Sequence, residues 1–257
     1  MLSPGFVLSG AGVGLLVGMT GVGGGSLMTP MLILAYGLPV NTAIATDLLF
    51  AAATNVAATS IHGAQGSVQW RITLLLAAGS VPATLATLAL LHGHAPQSGE
   101  AQRLMAVTLG AALILTAIAI LLRPHLVAWA ASRHAPPMMR ARAAATVMTG
   151  AVIGVIVTLC SVGAGAIGVT ALLLLYPGTR TVRIIASDIA HTVPLTLLAG
   201  AGRWYLGGTD FGLAASLLAG SLPAVLIGGL LAHRLPDRVV RLVLALVLLA
   251  TGARLLA

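Results

Sequence analysis

Lysine is absent from this chain, and charge of either sign is scarce. Asp, Glu, Lys and Arg together make up 7% of its 257 residues, against about 25% in an ordinary soluble domain. So little charge excludes a soluble enzyme, and 58% hydrophobic residues exclude a disordered tail. The single cysteine, Cys160, excludes an internal disulfide framework and any CxxC or zinc spacing. No P-loop and no HExxH string occurs, so no cofactor or metal is expected and an embedded enzyme has little to stand on. The first four residues carry no basic group, so the opening apolar run is expected to belong to the fold and not to a cleaved leader.

Apolar sequence fills the space. Ten stretches stand out, at about 5–20, 26–38, 41–62, 71–92, 102–122, 143–161, 166–177, 181–201, 211–232 and 238–256. Most are long enough to cross roughly 30 Å of hydrocarbon as helices. The second and seventh are short, about 20 Å as helix. Each follows a Gly-rich break, Gly21-Val22-Gly23-Gly24-Gly25 and Val162-Gly163-Ala164-Gly165-Ala166. Short, Gly-interrupted segments at matching places point to broken or re-entrant helices.

The places match because the chain repeats itself. At a shift of 141 residues, 20–83 aligns without a gap: Gly24 with Gly165, Asp47 with Asp188, Gly66 with Gly207, and Gly79-Ser80-Val81-Pro82-Ala83 with Gly220-Ser221-Leu222-Pro223-Ala224. Five segments per copy is an odd number, so the second copy would enter from the opposite face. The expectation is an all-α polytopic membrane protein of about ten transmembrane segments in two inverted five-segment repeats. The first repeat would span 1–122, a basic linker 123–142, and the second repeat 143–257.

The arginines support ten segments. With loops on alternating sides, one side holds Arg71, Arg123, Arg133, Arg140, Arg142, Arg180, Arg183, Arg234, Arg238 and Arg241, and the other only Arg103, Arg203 and Arg254. The positive-inside rule makes the rich side cytoplasmic and puts both termini outside. Fusing each broken pair into one span destroys the bias. The net charge of +8 thus reflects topology and anionic lipid, with no nucleic acid required.

Asp47 and Asp188 are the first functional candidates. A carboxylate inside an apolar helix costs roughly 3 kcal/mol, and such residues usually serve a pathway or a proton relay. The competing reading is a helix cap. His191 follows Asp188 by three residues on the same face. It either relays protons with it or holds it structurally. Thr46 and Ser187 precede the two Asp and offer hydroxyls. Asn55, Thr59 and His62 share one face of the third segment, with Thr54 beside them.

The breaks are the second candidate. Amides at the start of a short helix suit an oxyanion, which makes Thr20, Gly23, Gly24, Gly25, Ser26, Ser161, Gly163 and Gly165 candidate substrate ligands with Thr46, Asn55 and Ser187. The competing reading is close helix packing at glycine. Arg203, beside Trp204 and Tyr205, reads as an interfacial anchor, and Cys160 as a small packing residue.

These breaks and Asp carry a resemblance. Gly21-Val22-Gly23-Gly24-Gly25-Ser26…Pro30 resembles the first-repeat signature of the sulfite exporter TauE/SafE family, and Gly66-Ser67-Val68-Gln69-Trp70 looks like its recurrent hairpin element. Ser187 to Thr196, Gly208-Thr209-Asp210-Phe211 and Gly220-Ser221-Leu222-Pro223 extend it over nearly the whole chain. The resemblance implies an inverted-repeat transporter of sulfite, sulfonates or related anions in the cytoplasmic membrane, coupled to an ion gradient. Protons at Asp47, Asp188 and His191 would be the coupling ion. A passive channel, or a carrier for another small anion or cation, is the alternative.

Overall fold

The computed structural model describes residues 4–20, 25–93, 99–132, 139–206, 209–231 and 237–256. Among them there are ten α-helices and no strand. In chain order they are α1 (Pro4–Thr20), α2 (Gly25–Tyr36), α3 (Val40–Ala64), α4 (Trp70–Gly93), α5 (Gly99–Ser132), α6 (Met139–Cys160), α7 (Val169–Leu175), α8 (Thr181–Tyr205), α9 (Phe211–Leu231) and α10 (Asp237–Leu256). A π-turn, Ala164–Gly168, leads into α7. Among the described residues, α3, α4, α5, α6 and α8 contain spans long and apolar enough to cross a membrane. The two segments expected to be short are short: α2 has 12 residues, and the π-turn and α7 have 5 and 7.

Glycine fixes how these helices end and how closely they approach. Gly37 and Gly66 take left-handed φ of 65° and 62°. They stop α2 and α3 while the next amides turn back, Leu38 onto the Leu32 carbonyl and Ser67 onto His62. Within the bundle α1 packs on α9 and α4 on α6. A methyl on Gly79 would stand 1.9 Å from the Val147 carbonyl oxygen, and one on Gly220 would stand 1.9 Å from that of Val7. Gly150 and Gly10 likewise leave 2.2 Å to the carbonyls of Leu76 and Leu217. No side chain fits at these crossings, which is how helices gain contact where lipid removes the hydrophobic drive to associate.

The pairs correspond between the halves. Shifting α4 by 141 residues gives α9, and the glycines of α1 match those of α6 one residue short of that shift. Two further large contacts, α3 with α8 and α5 with α10, join equivalent helices, and α4 also packs on α8. At 34 residues, α5 runs about 51 Å, well beyond the hydrocarbon thickness. It continues through Pro124 to Ser132, so the first half of the expected linker is helix, and Val127 packs on the cluster of Ile72, Leu76, Leu172 and Ile184.

The α3–α8 pair carries the buried Asp, His and Arg side chains and several buried hydroxyls. Asn41, Thr46 and Asp47 on α3 are buried, as are Ser187, Asp188, His191, Thr192, Thr196 and Arg203 on α8. The second break joins this interior: Cys160, Val162 and Ala166 share one apolar core with Leu27 and Met28 of α2 and Phe50 of α3.

Candidate functional site at the helix breaks

Asp47 and Asp188 each lie eighth in their helix, α3 and α8, and both are fully buried. That depth rules out an N-terminal cap, and the position before α8 is Arg180. The Thr29 hydroxyl of α2 donates to Asp47 Oδ2, while Oδ1 has no partner. The Ser161 hydroxyl sits close to the same carboxyl without meeting a partner at hydrogen-bond geometry. A carboxyl of the first half therefore faces the break of the second.

That break is built from unusual backbone. Ser161 takes φ 60°, a region a residue with a side chain rarely enters, and Gly163 takes φ 116°. The ladder restarts when the Ile167 and Gly168 amides both reach the Gly163 carbonyl, at 3.0 and 3.4 Å. The amides of Ala164, Gly165 and Ala166 precede those first bonds. Ala164 and Gly165 are half-buried, whereas Ser161 and Gly163 are buried. Amides ahead of the first helical bonds, beside an unpartnered hydroxyl, make a donor-rich spot in an apolar interior, which suits an oxyanion.

Asp188 lies on the other side of the π-turn. A methyl on Gly168 would stand 2.5 Å from its Oδ1, and neither of its oxygens has a hydrogen-bond partner. His191 does not bond to it: His191 Nε2 lies 2.9 Å from Ser80 Oγ of α4, and Nδ1 is unpartnered.

Several expected ligands are otherwise engaged. Ser187 Oγ accepts the Gln69 amide at 2.8 Å and donates to the Arg183 carbonyl at 2.7 Å. Thr46 Oγ1 accepts the Asp210 amide at 3.4 Å. The two hydroxyls thus brace equivalent loops of opposite halves. Asn55 is half-buried on α3, Thr54 donates to the carbonyls of Phe50 and Ala51, and Thr59 Oγ1 and His62 Nδ1 are buried without partners. Gly23 and Gly24 lie outside the described residues, as do the side chains of Thr20 and Ser26. Gly25 opens α2. Thr29, Ser80 and Gly168 were not marked in the sequence; a hydroxyl or glycine in an apolar helix carries no flag there.

Arg203 corrects an expectation. It is not an interfacial anchor but fully buried. Its Nε and Nη2 donate to the Thr158 carbonyl at 3.2 and 2.7 Å, and Nη2 also to Leu159 at 3.1 Å. Its Nη1 donates to Asn41 Oδ1 at 2.6 Å. Trp204 and Tyr205 stay exposed. One residue along a helix is a 100° rotation, so the neighbours face lipid while Arg203 turns in. It closes the C-terminal end of α6, where carbonyls lack partners and the helix dipole favours a cation.

A bundle of apolar helices with a broken helix, unpartnered donors and buried carboxyls at its centre has the anatomy of a multi-pass membrane transporter. The model of the family "Sulfite exporter TauE/SafE" matches residues 6–255. "Probable membrane transporter protein YjnA" of Bacillus subtilis (strain 168) is 33% identical over 261 residues, covering 99% of this chain and all of the relative. "Probable membrane transporter protein YunE" of the same organism is 35% identical over 68 residues, 26% of this chain and 25% of the relative. No solved structure matches. The chain belongs to the sulfite exporter TauE/SafE family, and is a membrane transporter and not an enzyme.

Proposed function

We propose that the protein is a secondary transporter, coupled to the proton gradient, that exports a small sulfur-containing anion such as sulfite or a sulfonate across the cytoplasmic membrane. The observation that carries this reading is the meeting of Asp47 with the second break, where the Ser161 hydroxyl lacks a partner and the amides of Ala164, Gly165 and Ala166 precede the first helical bonds. Those donors would hold the anion's oxygens. The first break, with Thr20, Gly23, Gly24, Gly25 and Ser26, would supply the matching half of the site.

Ten spans in two inverted halves, 1–122 and 143–257, with 123–142 on the cytoplasmic side and both termini outside, fit the corresponding helix pairs and the arginine distribution. Rocking of one half on the other would expose the site to each side in turn. An ionised Asp beside an anion repels it, so proton uptake on Asp47 or Asp188 as the anion binds removes the conflict and links the two fluxes as symport, which exports the anion when its outward gradient exceeds the inward pull on the proton.

Sulfite flux into proteoliposomes, with and without an imposed pH gradient, tests the reading. Saturable uptake that rises when the lumen is alkaline supports it. Flux indifferent to every ion gradient would replace it with a passive channel. Absence of sulfite flux, with an organosulfonate moving instead, would move the substrate and keep the mechanism.

A further inference from the structure

Asp47 and Asp188 hold equivalent places in the two halves, yet their surroundings differ. Thr29 donates to Asp47. Its equivalent, Thr170, donates instead to the Ala166 carbonyl at 2.7 Å, one turn back in the π-turn. Leu27 supplies a full side chain at the position equivalent to Gly168. Gly168 has none, and the Asp188 carboxyl lies against its backbone with Ile153 alongside. Asp47 therefore has a donor in place, whereas both oxygens of Asp188 are buried with no partner.

We infer that the two carboxyls have divided the work: Asp188 alone takes up and releases the coupling proton, and Asp47 keeps its proton throughout as a neutral acceptor that positions the second break. This rests on the proton-coupled reading above. A bare carboxylate cannot persist in an apolar interior without a partner, so its charge must be cancelled. A metal cation would need about six oxygen ligands. Among the described residues no group of three or more His, Cys, Asp or Glu side chains gathers where it could hold a metal, and one side of the Asp188 carboxyl lies against Gly168, so a proton is the species that fits.

The other fully buried titratable groups on α8 and the elements packed against it are His191 and Arg203 on α8, Asp47 on α3 and Cys160 on α6. None bonds to the Asp188 carboxyl. His191, three residues further along α8 and on the same helix face, has an unpartnered Nδ1. In each cycle water on one side gives the proton that forms the carboxyl O–H. Water on the other side receives it, and the group ends as it began.

Infrared difference spectra of the reconstituted protein across a pH step, recorded for the wild type, Asp47→Asn and Asp188→Asn, read this division without reference to any substrate. The carbonyl band of a protonated carboxyl should come and go with pH in the wild type, persist in Asp47→Asn and be lost in Asp188→Asn. Sulfite flux should lose its response to the pH gradient in Asp188→Asn and keep it, at a lower rate, in Asp47→Asn. If Asp188→Asn fails to fold, Gly168→Ala keeps the carboxyl but displaces it, and should shift the pH at which the band appears. Loss of the band in Asp47→Asn, or of the gradient response in both variants alike, overturns the division and leaves proton coupling intact. A gradient response unchanged in both variants overturns this inference and takes the coupling off both carboxyls, whereas wild-type flux indifferent to the pH gradient overturns the coupled reading itself.

Discussion

Replacing Arg203 should be among the costliest changes in the chain. Arg203→Met keeps the volume of the stem but leaves the Thr158 and Leu159 carbonyls and Asn41 Oδ1 without their donor. Each orphaned acceptor costs at least about 1 kcal/mol. Removing the charge also removes its own burial penalty, which offsets part of the loss, so a net of about 3 kcal/mol is expected. At roughly 2–4 °C per kcal/mol for a chain of this size, that is a fall of about 6–12 °C in melting temperature. Arg203→Lys separates the readings better. A lysine is one point charge without the planar fork, so it cannot serve three acceptors on two helices and should lose about 2 kcal/mol. At a lipid interface the same change would stay within about 0.5 kcal/mol. Thermal unfolding of the detergent-purified variants, followed by loss of the monodisperse peak, measures this. A Lys variant that melts with the wild type would refute the clamp.

Ser161→Gly relieves a residue held at φ 60°, by about 1 kcal/mol, while deleting the hydroxyl beside Asp47. The variant should melt no lower than the wild type yet show a higher KM for sulfite uptake. Gly79→Val drives a side chain into the Val147 carbonyl, 1.9 Å from where its first carbon would sit, and should abolish recovery of folded protein. Gly63→Ala, with nothing within 4 Å, should leave recovery unchanged on the same chromatogram. Thr29→Val leaves the buried Asp47 carboxyl without its donor. It should cost about 1–3 kcal/mol by thermal unfolding, whereas Thr170→Val, whose hydroxyl reaches only the turn before it, should cost less.

The helices were legible because lipid enforces long apolar runs, and glycine marks where those runs break. The correspondence of the halves was legible from Asp, Pro and paired Gly at one spacing, and it reappears in the methyl-free crossings of Gly79 and Gly220. Arg203 was misread because Trp204 and Tyr205 speak for the interface, and local sequence does not say which face of α8 turns inward. Thr46 and Ser187 looked like ligands because they adjoin the two Asp. Their partners lie 164 and 118 residues away, a distance no local pattern spans. The end of α5 escaped notice because Pro124 and four Arg read as a tether, whereas the helix carries Pro124 in its interior.

Counterflow tests the central claim, that the anion moves on a carrier opening to one side at a time. Proteoliposomes preloaded with unlabelled sulfite would be diluted into a trace of labelled sulfite, with no net driving force for entry. The account predicts faster labelled uptake than into empty vesicles, saturating with the internal load. Uptake indifferent to the load and linear in external concentration would contradict it and make the protein a pore.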